Sequence, residues 1–197
     1  MSKKGLYSFI VIGIFVFFCF FISVAETATL PPGFMEETII SGMSYPVGLG
    51  FLPDGRMLVI EQAGKVRLSV NGVLRTAPML DITVDVRDGG EQGLLGIAVD
   101  PDYPARPYVY LFYTNTTPNL QYVVRYTVTG TLTDPSGTDI NLDPNSRIYL
   151  LNDIPNSASN HNGGTVRFGP DKTLYISIGD DADAFGAQNR TLLKGVI

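Results

Sequence analysis

The stretch Ser159-Asn160-His161-Asn162-Gly163-Gly164 contains the one histidine of the chain. An imidazole with an unperturbed pKa of about 6.5 accepts a proton near neutral pH without further tuning, so proton abstraction is the first chemistry to consider there. A histidine in a Gly/Asn-rich loop is equally what a solvated turn contains. A second stretch, Gly90-Glu91-Gln92-Gly93, places an amide in a glycine-rich loop ahead of the apolar run Leu94 to Val99. Gln92 there reads either as a contact to a bound ring or as a turn residue at a sheet edge. A third, Asp180-Asp181-Ala182-Asp183, offers carboxylates of the kind that hold a hard cation. It fails as an EF-hand loop, because Leu192 stands at the twelfth place where Glu is required, and it reads as a solvated acidic turn.

Other chemistries lack their residues. There is no G-x-S-x-G elbow, so Ser157 and Ser159 beside His161 are turn formers and not nucleophiles. No G-x-x-x-x-G-K-[ST] phosphate loop is present, and Gly90, Gly93 and Gly96 lack the G-x-G start of a dinucleotide fingerprint. One histidine, and a lone cysteine at position 19, leave no zinc ligand set. No metal ligand is assigned from these residues.

The elements that must position His161 and Gln92 begin after an apolar N-terminus. Leu6 to Val24 is a nineteen-residue apolar run, preceded by Lys3 and Lys4 and followed by Ala25. Basic start, apolar centre and small residues at a cleavage point describe a secretory signal over residues 1–25, with the mature chain beginning at Glu26. The run is also long enough to cross a bilayer, so an uncleaved anchor is the alternative. Either way the body of the protein is expected outside the cytoplasm, secreted or periplasmic, and touching a membrane only through residues 6–24. The exported part carries 12 basic and 19 acidic residues, a formal charge of −7, which argues against a nucleic-acid partner. At 45% hydrophobic and 17% charged residues, the composition is that of a folded domain.

Residues 26–46, with Pro31 and Pro32, read as a linker and entry strand, and the folded part as residues 47–197. Short runs rich in Val, Ile, Tyr and Phe alternate with Gly/Pro/Asp/Asn turns, which predicts strands at 57–60, 66–70, 108–114, 122–128, 147–151 and 174–178. Short helical turns are expected only near 88–92 and 189–193. A hydrophobic-x-Pro-Asp turn followed by a strand recurs: Phe51-Leu52-Pro53-Asp54, then Phe168-Gly169-Pro170-Asp171, with a looser copy at Val99-Asp100-Pro101-Asp102. A repeated turn-plus-strand unit is the signature of propeller blades, and tyrosines 108, 110, 113, 122 and 126 are placed to pack blade on blade. At roughly 40 to 50 residues per blade the chain supplies about three, fewer than the four or more of closed propellers, so a fragment of a longer protein is expected.

Three segments together resemble the soluble glucose/sorbosone dehydrogenase family, six-bladed propellers dependent on pyrroloquinoline quinone (PQQ). They are Gly90-Glu91-Gln92-Gly93-Leu94-Leu95-Gly96 with Pro101-Asp102-Tyr103, then His161-Asn162-Gly163-Gly164 with Phe168-Gly169-Pro170-Asp171, and Leu174-Tyr175-Ile176-Ser177-Ile178-Gly179-Asp180. The resemblance covers about 48–197 and corresponds to the N-terminal half of the family's domain. It implies an all-β fold, a partial six-bladed propeller. It implies an oxidoreductase in which His161 takes the proton of an aldose C1 hydroxyl, the hydride passes to PQQ, and an external acceptor collects the electrons. Gln92 matches a cofactor-contacting glutamine. Asn160 falls where the glucose dehydrogenases carry an aspartate orienting the base. An amide cannot stabilise an imidazolium by charge, so either the base is weaker or another carboxylate substitutes. The residues holding PQQ and calcium would lie beyond Ile197. A non-catalytic extracellular propeller that binds a protein or carbohydrate is the alternative function.

Overall fold

The computed structural model describes residues 30–197. The chain divides into two compact units, Met1–Glu37 and Thr38–Ile197, and the segment read as a signal or anchor lies outside the described residues. In the described part of the first unit, Pro31 and Pro32 shape a turn in which the Phe34 amide donates to the Pro31 carbonyl at 3.2 Å.

The second unit is built from antiparallel sheets, and no α-helix occurs among the described residues. The first sheet runs β1 (Pro46–Phe51), β2 (Met57–Glu61), β3 (Lys65–Val70), β4 (Val73–Leu74), with β5 (Leu80–Asp81) also paired to β3. The second runs β6 (Leu94–Val99), β7 (Tyr108–Thr114), β8 (Leu120–Thr129), β10 (Ile148–Pro155), with β9 (Asn141–Leu142) on β8. The third pairs β11 (Gly163–Phe168) with β12 (Leu174–Ile178), and Val196 bridges Ile178. The leading strands β1, β6 and β11 lie beside one another, so each sheet starts at a common axis and meanders outward. These are three consecutive blades of a six-bladed propeller.

The repeated Pro-Asp turn joins the first two strands of each blade. In blade one the Leu52 amide donates to the Arg56 carbonyl and the Gly55 amide to the Leu52 carbonyl; in blade three the same bonds link Gly169 with Thr173 and Lys172 with Gly169. Gly55 and Lys172 occupy the same place in the repeat, and both are left-handed, at φ +91 and +62. The middle blade is buried on both faces, which explains the unbroken apolar run of β7. Val109, Leu111 and Tyr113 pack with Leu58, Ile60 and Leu68 of blade one, while Tyr110 and Phe112 join Val166 and Ile178 of blade three. Tyr110 meets Phe168 edge-on at 5.1 Å, so the tyrosines do pack between blades as expected.

Two local expectations are corrected. Residues 88–92 form a tight turn closed by a Gly89–Gln92 bridge, not a helical turn, because Gly89, Gly90 and Gly93 all take positive φ. The helical turn expected at 189–193 lies earlier, as a 3-10 helix at Gly186–Gln188 seeded by the Asp183 carboxylate accepting the Gly186 amide.

The Pro-Asp turn of blade one also ties two blades together. The Arg56 side chain is 1% exposed; it donates to Asp54 at 2.7 Å and to the carbonyls of Leu132 at 2.8 Å and Gly137 at 3.2 Å. Burial pushes the Asp54 carboxyl up, but the hydrogen bonds and charge of Arg56 outweigh it and hold it below the usual range. Asp54→Ala strands a buried guanidinium and is expected to cost about 3 kcal/mol, read as a lower urea midpoint. An unchanged midpoint would show that Arg56 is satisfied without its carboxylate.

Candidate functional site

His161 stands at the end of the loop between β10 and β11, in left-handed backbone at φ +59. The reason is the register of the third blade: Gly163 pairs with Ile178, so the chain just before β11 runs against the chain just after β12. That pairing brings Asp180 to His161, and the imidazole Nδ1 lies 2.8 Å from the Asp180 Oδ1. A carboxylate only accepts, so Nδ1 carries the hydrogen, and in the neutral ring Nε2 is the nitrogen with the free lone pair. The His161 side chain is 54% exposed and Asp180 26%, so Nε2 can meet a solute from solvent. The site can therefore take a proton, and Asp180 stabilises the imidazolium that results.

Two further strands of contact hold the loop. The Glu91 carboxylate accepts the His161 amide at 2.7 Å, and the Glu91 amide donates to the Ser159 carbonyl at 2.9 Å. Gln92 is buried; its side-chain amide donates to the Ala158 carbonyl at 3.2 Å, bracing the His161 loop. Gln62 in turn donates to the carbonyls of Gly90 and Gln92 at 3.0 and 2.8 Å. Beneath His161, Asn162 donates to Asn156 at 2.7 Å, and Gln121 donates to the Asn162 carbonyl at 3.0 Å.

Asp181 is buried, and its carboxylate accepts the amides of Ser157 and Ala158, each at 2.8 Å. Burial raises its pKa, but those amides and Lys194 outweigh burial and lower it. A depressed carboxyl adds stability that is fully present above its unfolded pKa of about 3.9 and is lost as pH falls through the folded value. The difference in urea midpoint between wild type and Asp181→Asn is accordingly expected to shrink below about pH 3.9. A difference that is constant with pH would contradict this.

A family model described as Glucose / Sorbosone dehydrogenase matches residues 43–197. The chain belongs to that family. Hedgehog-interacting protein of Homo sapiens is 31% identical over 75% of this chain and 22% of its own. Quinoprotein glucose dehydrogenase B of Acinetobacter calcoaceticus is 31% identical over 75% of this chain and 31% of its own. The PQQ-bound aldose sugar dehydrogenase of Streptomyces coelicolor superposes with a TM-score of 0.66 at 31% identity, over 81% of this chain and 45% of that one. The chain thus spans less than half the length of each of these proteins.

In this member of the glucose/sorbosone dehydrogenase family, the His161 loop and the Gln92 loop lie against each other, with Gln92 on the Ala158 carbonyl and Glu91 on the His161 amide. Among the described residues, Asn160 makes no hydrogen bond to the imidazole; the orienting carboxylate is Asp180, from the turn read as merely solvated. The glycines after His161 serve packing. A Cβ on Gly163 would lie 2.4 Å from the Gly179 nitrogen and one on Gly164 2.6 Å from Leu95, so protein fills the side on which a Cβ would stand. The sequence likewise does not tie Glu91 or Asp181 to the His161 loop, or Gln62 to the Gln92 loop, where the structure places them.

PQQ is a tricarboxylate and needs cations. The charged side chains tied to the His161 loop are Glu91, Asp180 and Asp181, and the cation beside them, Lys194, is taken by Asp181 and Asp183 at 3.4 and 3.3 Å. Among the described residues no group of three or more His, Cys, Asp or Glu is arranged to hold a metal. The described residues around His161 fit a proton acceptor and do not fit a quinone or calcium holder.

Proposed function

We propose that this chain supplies the N-terminal blades of an exported quinoprotein oxidoreductase acting on the C1 hydroxyl of an aldose-type sugar, with an external electron acceptor. The observation that carries this reading is the half-exposed imidazole whose Nδ1 is held by Asp180, leaving Nε2 as the proton acceptor. His161 takes the hydroxyl proton, Asp180 balances the charge, and Glu91 fixes the loop from the neighbouring blade. Family membership and the likeness to a PQQ-bound sugar dehydrogenase support the reading.

The test is dye-linked oxidation of aldoses by the full-length protein with PQQ and calcium added. Activity that needs both is expected, and none with any aldose would overturn the proposal. The likeness to Hedgehog-interacting protein favours a second reading, a non-catalytic extracellular propeller that binds a partner. A folded protein inert in that assay would support it. Export is checked by N-terminal sequencing of the protein outside the cytoplasm: a start at Glu26 supports a cleaved signal, and an intact N-terminus in the membrane fraction supports an anchor.

A further inference from the structure

The site contains a buried carboxylate that proton abstraction does not use. Asp181, 6% exposed, adjoins Asp180 in sequence, and it grips the His161 loop twice. Its carboxylate accepts the amides of Ser157 and Ala158 at 2.8 Å, and its own amide donates to the His161 carbonyl at 3.1 Å. Lys194 backs it at 3.4 Å. The segment carrying Lys194 is fixed to the same turn, because the Gly195 amide donates to the Gly179 carbonyl at 2.9 Å and Val196 bridges Ile178.

This arrangement is expensive for a turn. Asp181 sits in left-handed backbone at φ +57, a conformation that non-glycine residues seldom take, and a buried carboxylate must be matched by donors. What the carboxylate adds is register: two consecutive loop amides are satisfied together only when 179–181 occupy one place relative to the loop. The pair that benefits cannot hold itself. His161 is half exposed, and an exposed hydrogen bond of this kind gains little against side-chain entropy and competing water.

We propose that Asp181, backed by Lys194, is a positioning residue that sets the distance and orientation of Asp180 relative to the His161 imidazole. As a contribution to catalysis this rests on reading His161 as a base; as geometry it does not. Neither Asp181 nor Lys194 has a side-chain hydrogen bond to the ring, and Glu91 reaches only the His161 amide, so their effect on the imidazole must pass through Asp180.

Because His161 is the chain's one histidine, nitrogen-15 NMR of a histidine-labelled full chain reports a single imidazole, confirmed by its loss in His161→Gln. In the neutral ring, Asp180 should hold the Nδ1–H tautomer. Asp180→Ala is expected to shift the tautomer ratio towards Nε2–H by about fivefold, the effect of one hydrogen bond. Asp181→Asn and Lys194→Met, which leave Asp180 in place, are expected to shift it in the same direction by roughly threefold. Val166→Ala, a cavity in the core of the same blade, is expected to lower stability and leave the ratio unchanged. Wild-type ratios in Asp181→Asn and Lys194→Met, an equal shift in Val166→Ala, no shift in Asp180→Ala, or failure of both former variants to fold would each overturn the proposal. Neither sugar nor quinone enters the measurement, so its outcome is separate from whether oxidation is observed.

Discussion

His161→Ala is expected to lower kcat of sugar oxidation by the full-length protein by about a thousandfold, in the middle of the range for loss of a general base. In the proposed reaction the C1 hydroxyl must lose its proton, and Nε2 is the acceptor that Asp180 leaves free. KM should change little, since the proton transfer belongs to the transition state and not to ground-state binding. Asp180→Asn is expected to cost less, about ten- to a hundredfold. A buried carboxylate in a catalytic triad is worth about ten thousandfold, but Asp180 is a quarter exposed, so solvent screens the charge that an amide would remove. The two substitutions should not add when combined, because Asp180 acts through His161. Dye-linked steady-state kinetics measures all of this, and activity of His161→Ala within tenfold of wild type would remove His161 as the base.

The propeller was legible because its signals are local. The expected runs 108–114 and 174–178 are β7 and β12 with no change in bounds, and the repeated Pro-Asp turn marks the same hairpin corner in each blade. β11 shows in the sequence only as a strand-like run after the His161 stretch, with Gly163 and Gly164 blurring its start and nothing to give its partner or register. That missing register hid the orienting carboxylate. With β11 paired to β12, residues two places outside the Gly163–Ile178 pair are His161 and Asp180, so their meeting follows from the hairpin register alone. Without it, the neighbouring Asn160 is the natural candidate, and Asp180 looks like part of an acidic turn. The Gly90-Glu91-Gln92 loop shows the same limit. A glycine-rich stretch announces close approach of backbone, but which of two adjacent polar side chains reaches the histidine is settled by the next blade, where Glu91 meets His161 and Gln92 is buried beneath. β10 was read short, as 147–151, because Asn152, Asp153 and Pro155 disguise a strand that continues to Pro155 through two register shifts.

Gly96→Ala is expected to cost about 3 kcal/mol or more, at the upper end of overpacking, and to lower Tm by about 10 °C for a domain of this size. The added Cβ would lie 2.0 Å from the Gly164 carbonyl oxygen and 3.2 Å from Phe112 Cβ. Gly164 belongs to the leading strand of the next blade, and its own open side meets Leu95 at 2.6 Å, so neither backbone can yield without parting β6 from β11. Gly50→Ala is the control. It makes the same chemical change on the corresponding strand of blade one, where the new Cβ would find Val99 and Ile97 at 3.6 to 3.9 Å, ordinary contact distances. Its effect should stay within about 0.5 kcal/mol. The difference between the two variants isolates the close approach of blades two and three from the general effect of a methyl group on strand backbone. It also bears on the chemistry, because Glu91 precedes β6 and His161 precedes β11. If Gly96→Ala unfolds at the same urea concentration as wild type, the leading strands are farther apart than 2.0 Å allows, and the hydrogen bond by which Glu91 fixes the His161 loop loses its footing.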